Sequence, residues 1–174
     1  MVGTLWFLAI VGVSGGGVGA AFAAEPPVFT PAPDAEGTWR TQLVFPVPIE
    51  AVRAALGDPI EAARFSPDIT TIAYVSREQC PTIRVETGMT FAPVAYDYRR
   101  CATSTGWHET LVASKALEIY DVRWSFESVE AGTKVTYDVR IKPSFPAPDF
   151  LLARQMRGSI TTLLQRLYRS VTGG

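Results

Sequence analysis

An α+β fold is predicted, with one curved antiparallel β-sheet of about seven strands wrapped on a long C-terminal α-helix and two short helices after the first strand. Three observations predict it. From residue 70 to residue 142, strand-like segments follow one another with apolar and polar residues alternating and no convincing helical period. The stretch DFLLARQMRGSITTLLQRLYRSV then carries apolar residues at steps of three and four. A single sheet cannot bury its apolar face alone, and only this last helix is long enough to cover it.

The elements follow in order. Trp39 to Phe45 (WRTQLVF) alternates and is rich in aromatic and branched residues, which reads as a first strand. Pro46 and Pro48 punctuate the chain, and IEAVRAALGDP follows as a short helix with Val52 and Leu56 on one face, stopped by Gly57 and Pro59. A second helical piece, IEAARF, ends at Ser66-Pro67-Asp68. Strands are expected over 70–77, 82–88, 94–101, 107–113, 117–129 and 133–142. In the last two, Tyr120, Val122, Trp124 and Phe126 share one face, as do Val135, Tyr137, Val139 and Ile141 after the turn Glu130-Ala131-Gly132. Pro143, Pro146 and Pro148 break the sheet pattern before the closing helix. Its apolar stripe is expected to be Leu152, Met156, Ile160, Leu163, Leu167 and Val171, with Gly158 a weak point within it.

The first 24 of the 174 residues differ from the rest. They carry no charge, run through an apolar core from Leu5 to Val13, and end in small residues around Ala21-Phe22-Ala23. This is the layout of a secretory signal peptide, although no Lys or Arg precedes the apolar run. Anchoring in a membrane by residues 2–24 is the alternative, weakened by Gly12, Gly15, Gly16, Gly17 and Gly19. Residues 25–37 are proline-rich and aperiodic and read as an extended linker. The domain is then 38–172. All 16 basic and 17 acidic side chains follow residue 24, so the folded part is near neutral, which argues against a nucleic-acid partner. A periplasmic or secreted location and a monomer are expected.

The segments VFPVPIEAVRAALGDPIEAARFSPDI and VRWSFESVEAGTKVTYDVRIKPSFPAPDFLLARQMRGSITTLLQRL resemble the START-like (SRPBCC) superfamily of helix-grip folds, which includes polyketide cyclase/dehydrase-type, coenzyme Q-binding and lipid-transfer proteins. The first matches that group's strand–proline–short-helix opening, the second its long strand pair, proline break and closing helix. The resemblance implies a cavity between sheet and helix that takes a hydrophobic small molecule such as a lipid, sterol, quinone or polyketide. It carries over no shared catalytic motif.

Candidate cavity residues are Tyr96, Tyr98, Arg100, His108, Tyr120, Trp124, Tyr137 and Met156. Tyr and Trp combine apolar area with one hydrogen-bonding group each, as such pockets need; the same residues could equally fill an ordinary core. With Tyr96 and Tyr98 inward, Asp97 and Arg99 face out and Arg100 faces in. An inward arginine needs a structural partner or the anionic head of a ligand. His108, the only histidine, is either a structural or surface residue or, if it faces the cavity, an acid–base group. No catalytic residue, metal site or cofactor is assigned. The basic side of the closing helix (Arg154, Arg157, Arg166, Arg169) is a solvated face or a contact for an anionic membrane surface.

Two cysteines, Cys80 and Cys101, bracket a predicted hairpin. In an exported chain they would form one disulfide, provided the turn centres near residue 90 or 91 and brings them opposite each other. In a cytosolic chain they would be inert thiols. The function expected is a non-catalytic carrier or sensor of a hydrophobic ligand. A cyclase/dehydratase-type enzyme using the same cavity is the alternative, and an interaction module with a fully packed core is a third possibility.

Overall fold

The computed structural model describes residues 25–88 and 93–173. The predicted signal segment, residues 1–24, lies outside them. Seven strands form one antiparallel sheet: β1 (Trp39–Phe45), β2 (Ile69–Ser76), β3 (Thr82–Gly88), β4 (Pro93–Ala102), β5 (Gly106–Ser114), β6 (Leu117–Val129) and β7 (Gly132–Pro143). Two helices, α1 (Ile49–Gly57) and α2 (Pro59–Ala62), follow β1, and α3 (Asp149–Thr172) closes the chain. A 3₁₀ turn, Ala63–Phe65, continues α2. The strand order is β1-β7-β6-β5-β4-β3-β2. Strands β2 to β7 are thus a plain meander, and the short helices carry the chain from one edge of the sheet to the other.

Alternation sets the faces. β1 is buried at every second residue, and Phe45, Val135, Val139, Val122 and Phe126 fill the concave side with α1 and α3. On the outer face acids and bases meet across strands: Arg40 forks onto Asp138 at 2.7 and 2.9 Å, and Arg84 onto Asp97 at 2.8 Å twice. Such exposed pairs contribute little stability individually, but they reinforce the register. Gly132 closes the β6–β7 turn with φ +127°, and a Cβ there would lie 2.1 Å from the Phe45 carbonyl oxygen. Only glycine fits that crossing.

Two expectations need correction, the stripe of α3 and the proline-rich segment. The buried stripe of α3 is Met156, Ile160, Leu164, Leu167 and Tyr168. Leu163 sits at the edge of that stripe, facing an unfilled space, while Leu164 and Tyr168 take the packed positions. Helix α1 follows Pro48 and ends at Gly57 as expected, and Asp58 caps α2 by accepting from Ile60 N–H at 2.7 Å. The proline-rich segment is not a free spacer along its whole length. Phe29 packs against the main core, Pro31 is buried and its carbonyl accepts from Arg157 Nε at 3.3 Å, and Pro33 bridges to Trp39. Phe29 has apolar area to bury, which outweighs the extended preference of its proline neighbours.

The cysteines form a disulfide with Cα atoms 4.5 Å apart. The register of β3 on β4 runs from Gly88 opposite Pro93 to Thr82 opposite Arg99, so two residues further Cys80 falls opposite Cys101. Arg100 N–H donates to the Pro81 carbonyl at 3.0 Å and continues the ladder up to the bridge. Stapling a loop of this size is worth about 3 kcal/mol in the chain-entropy account. Reduction, or replacement of both cysteines by serine, is therefore expected to lower urea-unfolding stability by about 3 kcal/mol. Gly158 has an ordinary helical backbone, and a Cβ there would meet nothing within 4 Å. Gly158→Ala should raise stability by up to about 1 kcal/mol, read as an upward shift of the thermal midpoint.

Candidate functional site: a cavity under the closing helix

The concave face carries two apolar clusters. The larger joins β1, β6, β7, α1 and α3; the smaller is Ile83, Val85 and Tyr98 with Ile72, Tyr74 and Tyr96 against it, under β2–β4. Tyr120 touches both. Where the clusters fail to merge there is a cavity of about 130 Å³ lined by Val94, Tyr96, Leu117, Tyr137, Met156 and Leu163, among others. A second void of about 70 Å³ lies further in. The two share Ser66, Ile69, Tyr96, Tyr120, Tyr137 and Leu163, so they are parts of one space, largely apolar in its outer part and polar at its inner end.

Parity places the tyrosines. Tyr96 and Tyr98 are two apart on β4 and face inward, where their rings lie 4.8 and 5.3 Å from that of Tyr120. Tyr137 packs at 4.3 Å on Trp124. The surface left to Tyr96 and Tyr120 faces the cavity. Burial raises the hydroxyl pKa of Tyr96, Tyr98, Tyr120 and Tyr137, with the Glu109 carboxylate as the next cause. All four remain neutral hydrogen-bonding groups at any physiological pH.

Arg100 is the inward arginine, and its partner is Glu109. The Arg100 side chain is 5 % exposed and that of Glu109 8 %, with Nε 3.6 Å from the carboxylate. Arg100 Nη2 donates to the Leu56 carbonyl at 2.6 Å, and its guanidinium lies 4.3 Å from the centre of the Trp107 ring. Its Nε is buried without a hydrogen-bond acceptor. Glu109 Oε2 accepts from the Tyr120 hydroxyl at 2.9 Å. Desolvation pushes the Glu109 carboxyl pKa up, opposed first by Arg100 and then by the Tyr120 hydrogen bond. The inner void thus meets a guanidinium, a carboxyl whose pKa burial raises, and tyrosine hydroxyls.

His108 is placed elsewhere. Trp107 and Glu109 point inward, so the residue between them points out, and His108 Nε2 meets Asp121 Oδ1 at 3.0 Å on the outer face beside Arg123. It lines neither void, which corrects its inclusion among the cavity residues. Glu109 is the group absent from the sequence-based expectation. The signal for it is positional: Arg100 lies opposite Glu109 in the β4–β5 register, and Glu109 lies opposite the inward Val122 in β5–β6. Among the described residues no group of three His, Cys, Asp or Glu side chains could hold a metal ion, and no helix is long and apolar enough to cross a membrane.

The profile of a family described as "Polyketide cyclase / dehydrase and lipid transport" matches residues 37–172. No curated protein sequence matches the chain significantly. Among solved structures, a protein from Thermus thermophilus aligns with TM-score 0.69 at 17 % identity, covering 78 % of this chain and 97 % of its own. A START superfamily protein from Mycobacterium smegmatis aligns with TM-score 0.67 at 11 % identity, covering 78 % and 97 %. The Zhui aromatase/cyclase from a Streptomyces species aligns with TM-score 0.53 at 12 % identity, covering 78 % and 91 %. At these identities the likenesses show the helix-grip fold; what the cavity holds must be argued from its own residues.

The buried pair makes a prediction. Removing one partner strands the other's charge, so Arg100→Met and Glu109→Gln should each cost about 3–5 kcal/mol, while Arg100→Met with Glu109→Leu should cost far less. The pH dependence has a definite sign. Glu109 binds its proton more tightly folded than at the ordinary 4.5 of the unfolded chain. Its contribution to stability is therefore greatest below pH 4.5 and declines as pH rises toward the folded value. Urea-unfolding midpoints across that range should show this decline in the parent and not in Glu109→Gln.

Proposed function

Because the chain belongs to the polyketide cyclase/dehydrase and lipid transport family, we propose that it is an exported, monomeric carrier or sensor that holds a hydrophobic small molecule under α3. The observation that carries this reading is the cavity itself, apolar along Val94, Leu117, Met156 and Leu163, with polar groups at its inner end and Asp68, Gln155 and Ser159 along the wall beside the Pro67–Asp68 turn. A ligand oriented there would lay apolar area against tyrosine faces and direct one oxygen-bearing group toward Arg100, Glu109 and Tyr120. Lipids, quinones, sterols and polyketide-like molecules share that description. Export is supported by the signal-like first 24 residues and by the Cys80–Cys101 disulfide, which belongs to an oxidising compartment.

Carriage is favoured over catalysis by how the ionisable groups are used. His108 is engaged on the outer face, and Arg100 is spent on Glu109, Leu56 and Trp107. The alternative, a cyclase/dehydratase-type enzyme, rests on Glu109, whose raised pKa and place at the inner end suit a general acid.

Native mass spectrometry of the protein purified unreduced from its own host, followed by solvent extraction, tests the reading. The expected result is a bound apolar molecule with few oxygens that survives prolonged incubation unchanged. Conversion of that molecule by the parent protein, absent in Glu109→Gln, would favour the enzyme. Repeated recovery of empty protein that also takes up no lipophilic dye would sink the cavity reading. Two reactive thiols in the denatured, unreduced protein would end the case for export.

A further inference from the structure

The voids are small for the cargo proposed. About 130 and 70 Å³ together remain below the ~300 Å³ at which ligand pockets begin. On the outer side of α3, however, a groove of about 630 Å³ runs between the Pro67–Asp68 turn and the helix, lined by Leu151, Arg154, Gly158 and Thr162 among others. Four residues, Pro67, Asp68, Gln155 and Ser159, line both this groove and the cavity. The Ser159 hydroxyl donates to Asp68 Oδ2 across that shared wall, and Gln155 Nε2 donates to Ser159 Oγ at 3.4 Å. The partition between the large groove and the small cavity is thus a few polar side chains.

We propose that this groove is the portal of the cavity, that the Ser159–Asp68 hydrogen bond is its latch, and that cargo passes over the bare backbone at Gly158. The proposal rests on the cavity reading above and adds the route and the device that opens it. One jaw is fixed, because the Asp68 carbonyl accepts from Gly88 N–H at 2.8 Å and ties the turn to the end of β3. The other jaw is able to move. From Ile160 onward α3 is held by Ile160, Leu164, Leu167 and Tyr168, whereas before Gly158 only Met156 is buried.

Gly158 lies at the junction of those two halves. Its missing side chain is not required by packing, since a Cβ there meets nothing within 4 Å, and a glycine weakens a helix interior relative to alanine. At this position it has two consequences: it leaves the groove floor open next to the latch, and it eases bending where the anchored half of α3 meets the loosely held half. Opening the latch joins groove to cavity and supplies the volume that the closed state lacks.

Stopped-flow fluorescence with N-phenyl-1-naphthylamine as the probe, on the chain as purified, tests this. Ser159→Ala removes the latch and should raise both association and dissociation rates about fivefold, the factor one net hydrogen bond is worth, leaving their ratio within about twofold. Gly158→Phe projects a ring into the groove and away from the cavity, and should slow both rates. Unchanged rates in both variants, with the probe still bound by the parent, would overturn the portal and leave the cavity reading standing. Failure of the parent to take up the probe would remove both. Circular dichroism and thermal midpoints confirm that each variant is folded before its rates are compared.

Discussion

The apolar stripe of α3 against a concave sheet is the interaction on which everything else depends. A seven-stranded meander exposes one whole apolar face, and the only other helices among the described residues, α1 and α2, are too short to cover it. Burying Ile160, Leu164 and Leu167 at roughly 1.5–3 kcal/mol per side chain fixes the C-terminal half of α3 over β1, β6 and β7. A straight helix cannot follow a curved sheet along its full width. The far side, under β2–β4, is left to a second and smaller cluster, and the cavity is the geometric remainder between the two. It is therefore a product of curvature and helix length, and the tyrosines that line it are what keep that remainder from collapsing.

The chemistry at the inner end follows from burial. An arginine that parity turns inward must be neutralised, and Glu109 on the next strand supplies the charge. The pair costs desolvation energy that a hydrophobic pair would not, and its Nε still lacks an acceptor. Two apolar residues would stabilise this position at least as well. A costly polar pair retained at the inner end of a largely apolar cavity fits the proposed site for one oriented polar group.

Much of this is legible in the sequence, and the limits have a common cause. Alternation locates all seven strands within a residue or two, because a half-buried sheet imposes period two on the chain itself. The disulfide is legible for the same reason, since a hairpin with its turn centred near 90 or 91 places Cys80 opposite Cys101 by counting alone. What counting along one strand does not supply is where the next turn falls and which face turns inward. The match of Arg100 with Glu109 follows only once the β4–β5 turn is placed at Thr103–Gly106, and an inward role for His108 stays open until parity gives it to its neighbours. In α3 the apolar period points to Leu163 where the packed position belongs to Leu164, because helical period alone does not say where a partner surface ends. Phe29 escapes notice because a single aromatic among prolines has no period at all.

The same structure divides into a part that holds and a part that yields. The Cys80–Cys101 bridge closes one end of the β3–β4 hairpin, and the Gly88–Asp68 hydrogen bond fastens the Pro67–Asp68 turn to the other end of β3. That side of the cavity is braced by covalent and backbone bonds. Opposite it, the first half of α3 has one buried side chain, a glycine at its base and a side-chain hydrogen bond to the braced turn. The docked proline-rich segment adds a further restraint through Pro31 and Arg157. Backbone ladders and a disulfide come apart only with the fold, whereas single side-chain hydrogen bonds open locally at small cost. A cavity walled by one of each can admit a molecule larger than itself without unfolding the sheet that defines it.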